Sequence, residues 1–123
     1  MSLIVSIHHV TLLVADLPRA RDFYETMLGL EINPARPVMS FEGVWYDIGA
    51  AQIHLMRLPN PDAGLERPAH GGRDRHVAFL INDIVELQAR LTRADIPFTL
   101  SQSGRRALFC RDPDDNALEF ISV

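Results

Sequence analysis

Hydrophobic positions along this chain switch between a two-residue and a helical period, and the switch is written twice. His9-Val10-Thr11-Leu12-Leu13-Val14-Ala15-Asp16-Leu17 returns as His76-Val77-Ala78-Phe79-Leu80-Ile81-Asn82-Asp83-Ile84, each copy an alternating strand that ends on an aspartate able to cap a helix. After Asp16, the residues Leu17, Ala20, Tyr24, Met27 and Leu28 fall at helical spacing, with Pro18 in the first turn and Gly29 as the stop. This predicts a helix over residues 17–28. After Asp83, the side chains of Ile84, Leu87, Leu91 and Ala94 mark one apolar face of a second helix that ends before Ile96-Pro97. Stretches rich in β-branched and aromatic residues follow both helices: 44–48 and 52–58 in the first half, 98–101, 107–111 and 117–123 in the second. Asp112-Pro113-Asp114-Asp115-Asn116 reads as a tight hairpin connection in which Asp115 or Asn116 takes a positive φ. Residues 59–74, with Pro59, Pro61, Pro68 and Gly71-Gly72, show no period and read as a linker between module one, 1–58, and module two, 75–123.

The alternation also sorts side chains by face. In the first strand His8, Val10, Leu12 and Val14 oppose His9, Thr11 and Leu13, and Val77, Phe79 and Ile81 oppose His76, Ala78 and Leu80. His54, between Ile53 and Leu55, lies 45 residues after His9, and Glu119, between Leu118 and Phe120, lies 43 after His76. Four metal-competent side chains thus hold matching places in two similar modules, which points to one site built by pseudo-twofold symmetry with two ligands from each. If the apolar sets pack on the helices, all four candidates face the opposite, concave surface of an α+β fold in which two βαβββ modules form curved mixed sheets.

At 123 residues with 47% hydrophobic content the chain suits one domain spanning 1–123. A net charge of -4 gives no case for nucleic acid or an anionic membrane. Cys110 is alone, so no internal disulfide forms, and its alternating surroundings suit a half-buried thiol in a cytoplasmic protein. The opening seven residues lack the basic start and long apolar run of an export signal, and no stretch approaches the ~20 apolar residues of a membrane span. The expected partner is a small-molecule substrate.

Other residues admit two readings. His8 packs on the helix or sits at the strand edge, and His70 in the linker is expected in solvent. Arg105 and Arg106 either clamp an anionic substrate group or form a solvated pair after Gly104. Trp45, Tyr46 and Met56 either line an apolar pocket or belong to the core. No histidine stands near Cys110 in an activating pattern, which argues against a nucleophile there.

The repeated strand, helix and three strands, the His-Val-Thr-Leu and His-Val-Ala-Phe openings, Phe23-Tyr24, Leu28-Gly29-Leu30, and Asp112-Pro113-Asp114 leading to Leu118-Glu119-Phe120 resemble the vicinal oxygen chelate superfamily. That group holds glyoxalases, epimerases, fosfomycin-resistance enzymes, extradiol dioxygenases and bleomycin-binding proteins. The resemblance covers nearly the whole chain and implies a glyoxalase-like fold with a divalent ion (Zn, Ni, Mn, Co or Fe) held by His9, His76 and Glu119. His54 matches the fourth ligand position of glyoxalase-type and epimerase-type members, where Glu or Gln is more usual. Asp115 stands where the family commonly has glycine. Three imidazoles and one carboxylate leave such an ion two adjacent open positions for a substrate with neighbouring oxygens. Glu119 would double as base on slipping off the metal when substrate binds, since a carboxylate bound to a cation accepts a proton poorly. The expected activity is that of a metal-dependent lyase or isomerase. An Fe(II) extradiol-type dioxygenase using His9, His76 and Glu119 alone is the alternative, with a metal-free drug-binding resistance protein after it. A homodimer is expected, because two curved half-sheets leave edges that a second chain covers.

Overall fold

Strand β1 (His9–Val14) is followed by helix α1 (Leu17–Arg21), which runs on into a π-helical stretch over Asp22–Met27, and then by β2 (Glu31–Ile32), β3 (Gly43–Ile48) and β4 (Ala51–Arg57). The second half repeats this order as β5 (His76–Ile81), α2 (Ile84–Arg93), β6 (Phe98–Leu100), β7 (Ala107–Arg111) and β8 (Ala117–Ser122), giving βαβββ twice. The computed structural model describes all 123 residues, and the chain divides into two compact units, Met1–Pro61 and Asp62–Val123. Each unit carries one four-stranded mixed sheet, ordered β1-β4-β3-β2 in the first and β5-β8-β7-β6 in the second. In both, the first strand runs parallel to the last while the remaining pairs are antiparallel.

Capping sets the helix starts where the aspartates predicted. Asp16 Oδ1 accepts from the Arg19 amide at 3.0 Å, and Asp83 Oδ1 accepts from the Glu86 amide at 2.9 Å. The first helix departs from the expectation in its second half. There the Leu28 amide reaches back five residues to the Phe23 carbonyl, at 3.1 Å, before Gly29 ends the helix at φ +76. The wider turn slips the register by one residue, so the consecutive rings of Phe23 and Tyr24 are both buried. Strand β2, only two residues long and exposed, lies in a stretch with too little alternation to announce itself. Residues 62–74 do more than connect, since a 3-10 turn over Gly71–Arg73 packs on the sheet of the second unit.

One face of each sheet is apolar and meets the helix. In the first unit Val14, Val44, Tyr46, Ile53 and Leu55 join Leu17, Ala20, Phe23 and Tyr24 in the core; in the second, Leu108, Leu118 and Phe120 join Ile84, Leu87 and Leu91. The Tyr46 hydroxyl donates to Glu25 Oε2 at 2.7 Å, and Arg21 grips the same carboxylate. The Arg21 bond, with the tyrosine behind it, holds Glu25 below the usual carboxylate range against the opposing effect of burial. Tyr46→Phe removes a buried donor to a charged acceptor and should cost about 1–2 kcal/mol in urea unfolding with an unchanged m-value. A midpoint identical to that of the unaltered chain would show the bond to be idle.

Candidate functional site

The other face of each sheet carries the polar candidates, and strand register fixes their neighbours. In the first unit Trp45, His54 and Thr11 lie in one cross-strand row, Asp47, Gln52 and His9 in the next, and Gly43, Met56 and Leu13 in the row on the other side. Since cross-strand partners and alternate residues point the same way, His9, His54, Trp45 and Met56 share this face. The His9 and His54 rings stack with centroids 4.0 Å apart and 13° between planes, and Trp45 covers the far side of His54 at 4.5 Å. His54 is thereby buried, with 8% of its surface exposed. Its Nε2 lies 2.7 Å from Gln52 Oε1. An amide oxygen only accepts, so Nε2 carries the proton and the lone pair sits on Nδ1. Burial foremost, then the nearby His9, His8 and Arg36, lower the His54 pKa and keep the ring neutral. His9 turns Nδ1 toward His8 Nδ1, 2.9 Å away, while its Nε2 makes no hydrogen bond. His8 itself is exposed at the strand edge.

In the second unit the same construction pairs His76 with Glu119. Ala78 is the register partner of Glu119, and His76 stands two residues earlier on the same face. His76 Nδ1 donates to the Asp74 carbonyl at 2.8 Å, which leaves the lone pair on Nε2, 3.2 Å from Glu119 Oε1. Two acceptors so close call for a cation or a shared proton between them. Two ligands about 2.1 Å from one ion and at right angles lie about 3.0 Å apart, so this spacing fits adjacent corners of a coordination shell. The Glu119 side chain is 3% exposed, and its Oε2 meets Arg105 Nη2 at 3.3 Å. Phe109 presents its ring at the edge of His76, with centroids 5.1 Å apart.

The structure thus assembles the metal candidates as two pairs, His9 with His54 and His76 with Glu119, and neither unit alone brings three His, Cys, Asp or Glu side chains into range of one ion. Of the substrate candidates, Arg105 reaches Glu119, Trp45 stacks on His54 and Met56 lines the same face, whereas Arg106 is exposed and engages nothing with its side chain. Tyr46 belongs to the core. Cys110 is fully buried rather than half-buried, and burial pushes its thiol up to about 12, which removes it as a nucleophile at neutral pH.

Three contributors were missed in the sequence. Gln52 orients His54, Phe109 walls His76, and His70 is not in solvent: its Nδ1 meets Thr99 Oγ1 at 2.6 Å and its ring packs on Phe109 at 4.8 Å. The signal for the last was the pair Gly71-Gly72. A Cβ on Gly71 would stand 3.3 Å from Ala117 Cβ, and one on Gly72 would stand 3.1 Å from the tip of the Phe109 ring, so both glycines mark backbone pressed onto the sheet.

Comparison with known proteins bears on the fold and the family. The chain is 27% identical over 125 residues to Glyoxylase I 4 of Arabidopsis thaliana, covering 97% of this chain and 71% of that protein. A crystal structure of a glyoxalase family protein from Bacillus anthracis superposes with a TM-score of 0.76 at 26% identity, covering 99% of this chain and 98% of the other. The fosfomycin resistance protein FosX from Listeria monocytogenes shares the fold, with a TM-score of 0.73 at 20% identity over 98% of this chain and 91% of that one. Residues 6–120 match a family described as the Glyoxalase/Bleomycin resistance protein/Dioxygenase superfamily. With nearly its entire length matched, and with both sheets and helices arranged as that match requires, the chain belongs to this superfamily.

Proposed function

We propose that this chain is a metal-dependent lyase or isomerase of the glyoxalase type, acting on a small substrate with adjacent oxygens. The observation that carries the reading is the His76–Glu119 pair, in which a tautomer fixed by the Asp74 carbonyl leaves Nε2 facing a buried carboxylate oxygen at 3.2 Å. His9 and His54, at the matching places of the first unit, supply the second pair. The donor set fits a borderline divalent ion, since neutral imidazoles and one carboxylate leave it net positive charge. A divalent ion held there would act as a Lewis acid on two neighbouring substrate oxygens. Glu119 is the group placed to move a proton. It is shielded from water, and Oε2 touches only the exposed, displaceable Arg105 while Oε1 faces His76. Arg105, once released from Glu119, is free to hold an anionic substrate group. Trp45 and Phe109 supply flat apolar walls, the first beside the His9–His54 pair and the second beside the His76–Glu119 pair.

One observation favours a second reading. His54 is sandwiched between the rings of Trp45 and His9, lying parallel to both. If it stays so, His9, His76 and Glu119 alone form the facial set of an Fe(II) oxygenase. Elemental analysis should find about one divalent ion per chain, and His76→Ala should lower this toward zero. Full retention in the variant would end both readings. Turnover of α-hydroxycarbonyl and catechol substrates with and without air separates them: oxygen-independent conversion supports the lyase or isomerase, oxygen uptake the dioxygenase.

A further inference from the structure

Behind His76 lies a buried ionic cluster that the proposed chemistry does not use. The Asp74 carboxylate, 8% exposed, receives Arg67 Nη2 at 2.8 Å and Arg111 Nη1 at 2.9 Å on Oδ2, and the Arg75 amide at 2.8 Å on Oδ1. Arg111 does more than pair with it. The same guanidinium donates to the Pro68 carbonyl at 2.6 Å and to the Asp115 carbonyl at 2.8 Å. Three stretches of chain are therefore tied to one planar group: the approach to β5, the end of β7, and the β7–β8 turn where Asp115 sits at φ 65. The strand register places the tie beside the candidate ligands, because Ala117 is the cross-strand partner of both His76 and Arg111. Ala117 opens the strand that carries Glu119.

We infer that Asp74 and Arg111 form a positioning device for the metal ligands, in which Arg111 pins the Asp74 backbone so that its carbonyl fixes the His76 tautomer, and pins the β7–β8 turn so that Glu119 meets it. The inference rests on the reading of His76 and Glu119 as ligands. Its physical content is the coupling of two hydrogen bonds through one residue. The Asp74 carbonyl selects the Nδ1–H form of His76, and the Asp74 carboxylate holds that carbonyl in place. A guanidinium is needed because a single group must donate to a carboxylate and two carbonyls in fixed directions, which an ammonium on a flexible stem does not do. The competing explanation is a buried ion network that serves folding alone.

Long-range proton–nitrogen NMR on the metal-free protein reads the His76 tautomer directly, and competition with a chelator reads Zn(II) affinity. In the unaltered chain His76 Nδ1 should stay fully protonated against the Asp74 carbonyl, whether or not Nε2 shares a proton with Glu119. Arg111→Met should give a mixture of tautomers and weaken Zn(II) binding by about 10–100-fold, the range for lost outer-shell support. Arg67→Met, which removes one Asp74 partner but leaves the turn tied, should change the tautomer little and the affinity by less than Arg111→Met. Should Arg111→Met fail to fold, Arg111→Lys carries the test, with the same tautomer shift expected. A His76 that remains wholly Nδ1–H, with unchanged Zn(II) affinity and only a lowered melting temperature, would overturn the inference and leave a folding network. If the unaltered chain binds no Zn(II), the ligand reading fails, while the tautomer in the variants still decides whether Arg111 positions His76.

Discussion

Glu119→Gln is expected to keep the divalent ion and to lose turnover by on the order of 10²–10⁴-fold, the usual contribution of a positioned general base. The argument is one of atoms. Glutamine still offers a carbonyl oxygen at the Oε1 position, 3.2 Å from His76 Nε2 in the native arrangement, so one ligand contact survives. It has no basic oxygen to take a proton. It also drops the charge that draws Arg105 to Oε2, so the guanidinium should swing free and any anionic substrate group should bind no worse. The expected pattern is thus a large fall in kcat, a KM that holds or drops, and metal content within experimental error of the unaltered chain. If kcat is unchanged in a metal-loaded Gln variant, Glu119 is a structural ligand and the proton goes elsewhere. Loss of the ion together with activity would give it a ligand role whose base function must be probed by Glu119→Asp.

How far the sequence carried depended on whether a residue's partner was local or distant. Both helices and seven of the eight strands could be read from periodicity, since burial on one face forces the pattern that betrays it. Strand β2 escaped because Glu31 and Ile32 are both exposed and impose no pattern. The π-helical second half of the first helix escaped because hydrophobic spacing does not report whether an amide reaches back four or five residues. Likewise, the alternation placed His9, His54, His76 and Glu119 on polar faces without showing what each touches. That His54 is sandwiched by Trp45 follows from register between β3 and β4, and register is set by the turn at 49–50, where Gly49 takes φ +55. His70 was misplaced for a related reason. A stretch without period has no predicted face, so its packing on Phe109 could only come from the fold.

The last expectation concerns which chain supplies which pair. β1 and β5 each pair on one side only, with β4 and β8, and β5 turns Leu80 outward at 74% exposure. The stretch before β1 adds Leu3, Ile4, Val5 and Ile7, all strongly exposed. Apolar side chains concentrated near unpaired edges are a surface that a second copy of the chain would cover, so we propose a homodimer with two sites. Each site needs one pair from a first unit and one from a second, and these come either from one chain or from two. Mixing a His9→Ala chain with a Glu119→Ala chain and isolating the heterodimer by orthogonal tags distinguishes them. If pairs are exchanged between chains, one site of the heterodimer lacks both altered ligands and the other is intact, so one ion binds per dimer and roughly half of the activity returns. If each chain completes its own site, both sites lack one ligand and neither metal nor activity recovers. Light scattering of the unaltered protein at micromolar concentration is the prior check: a monomer there removes the dimer and, with it, the exchange.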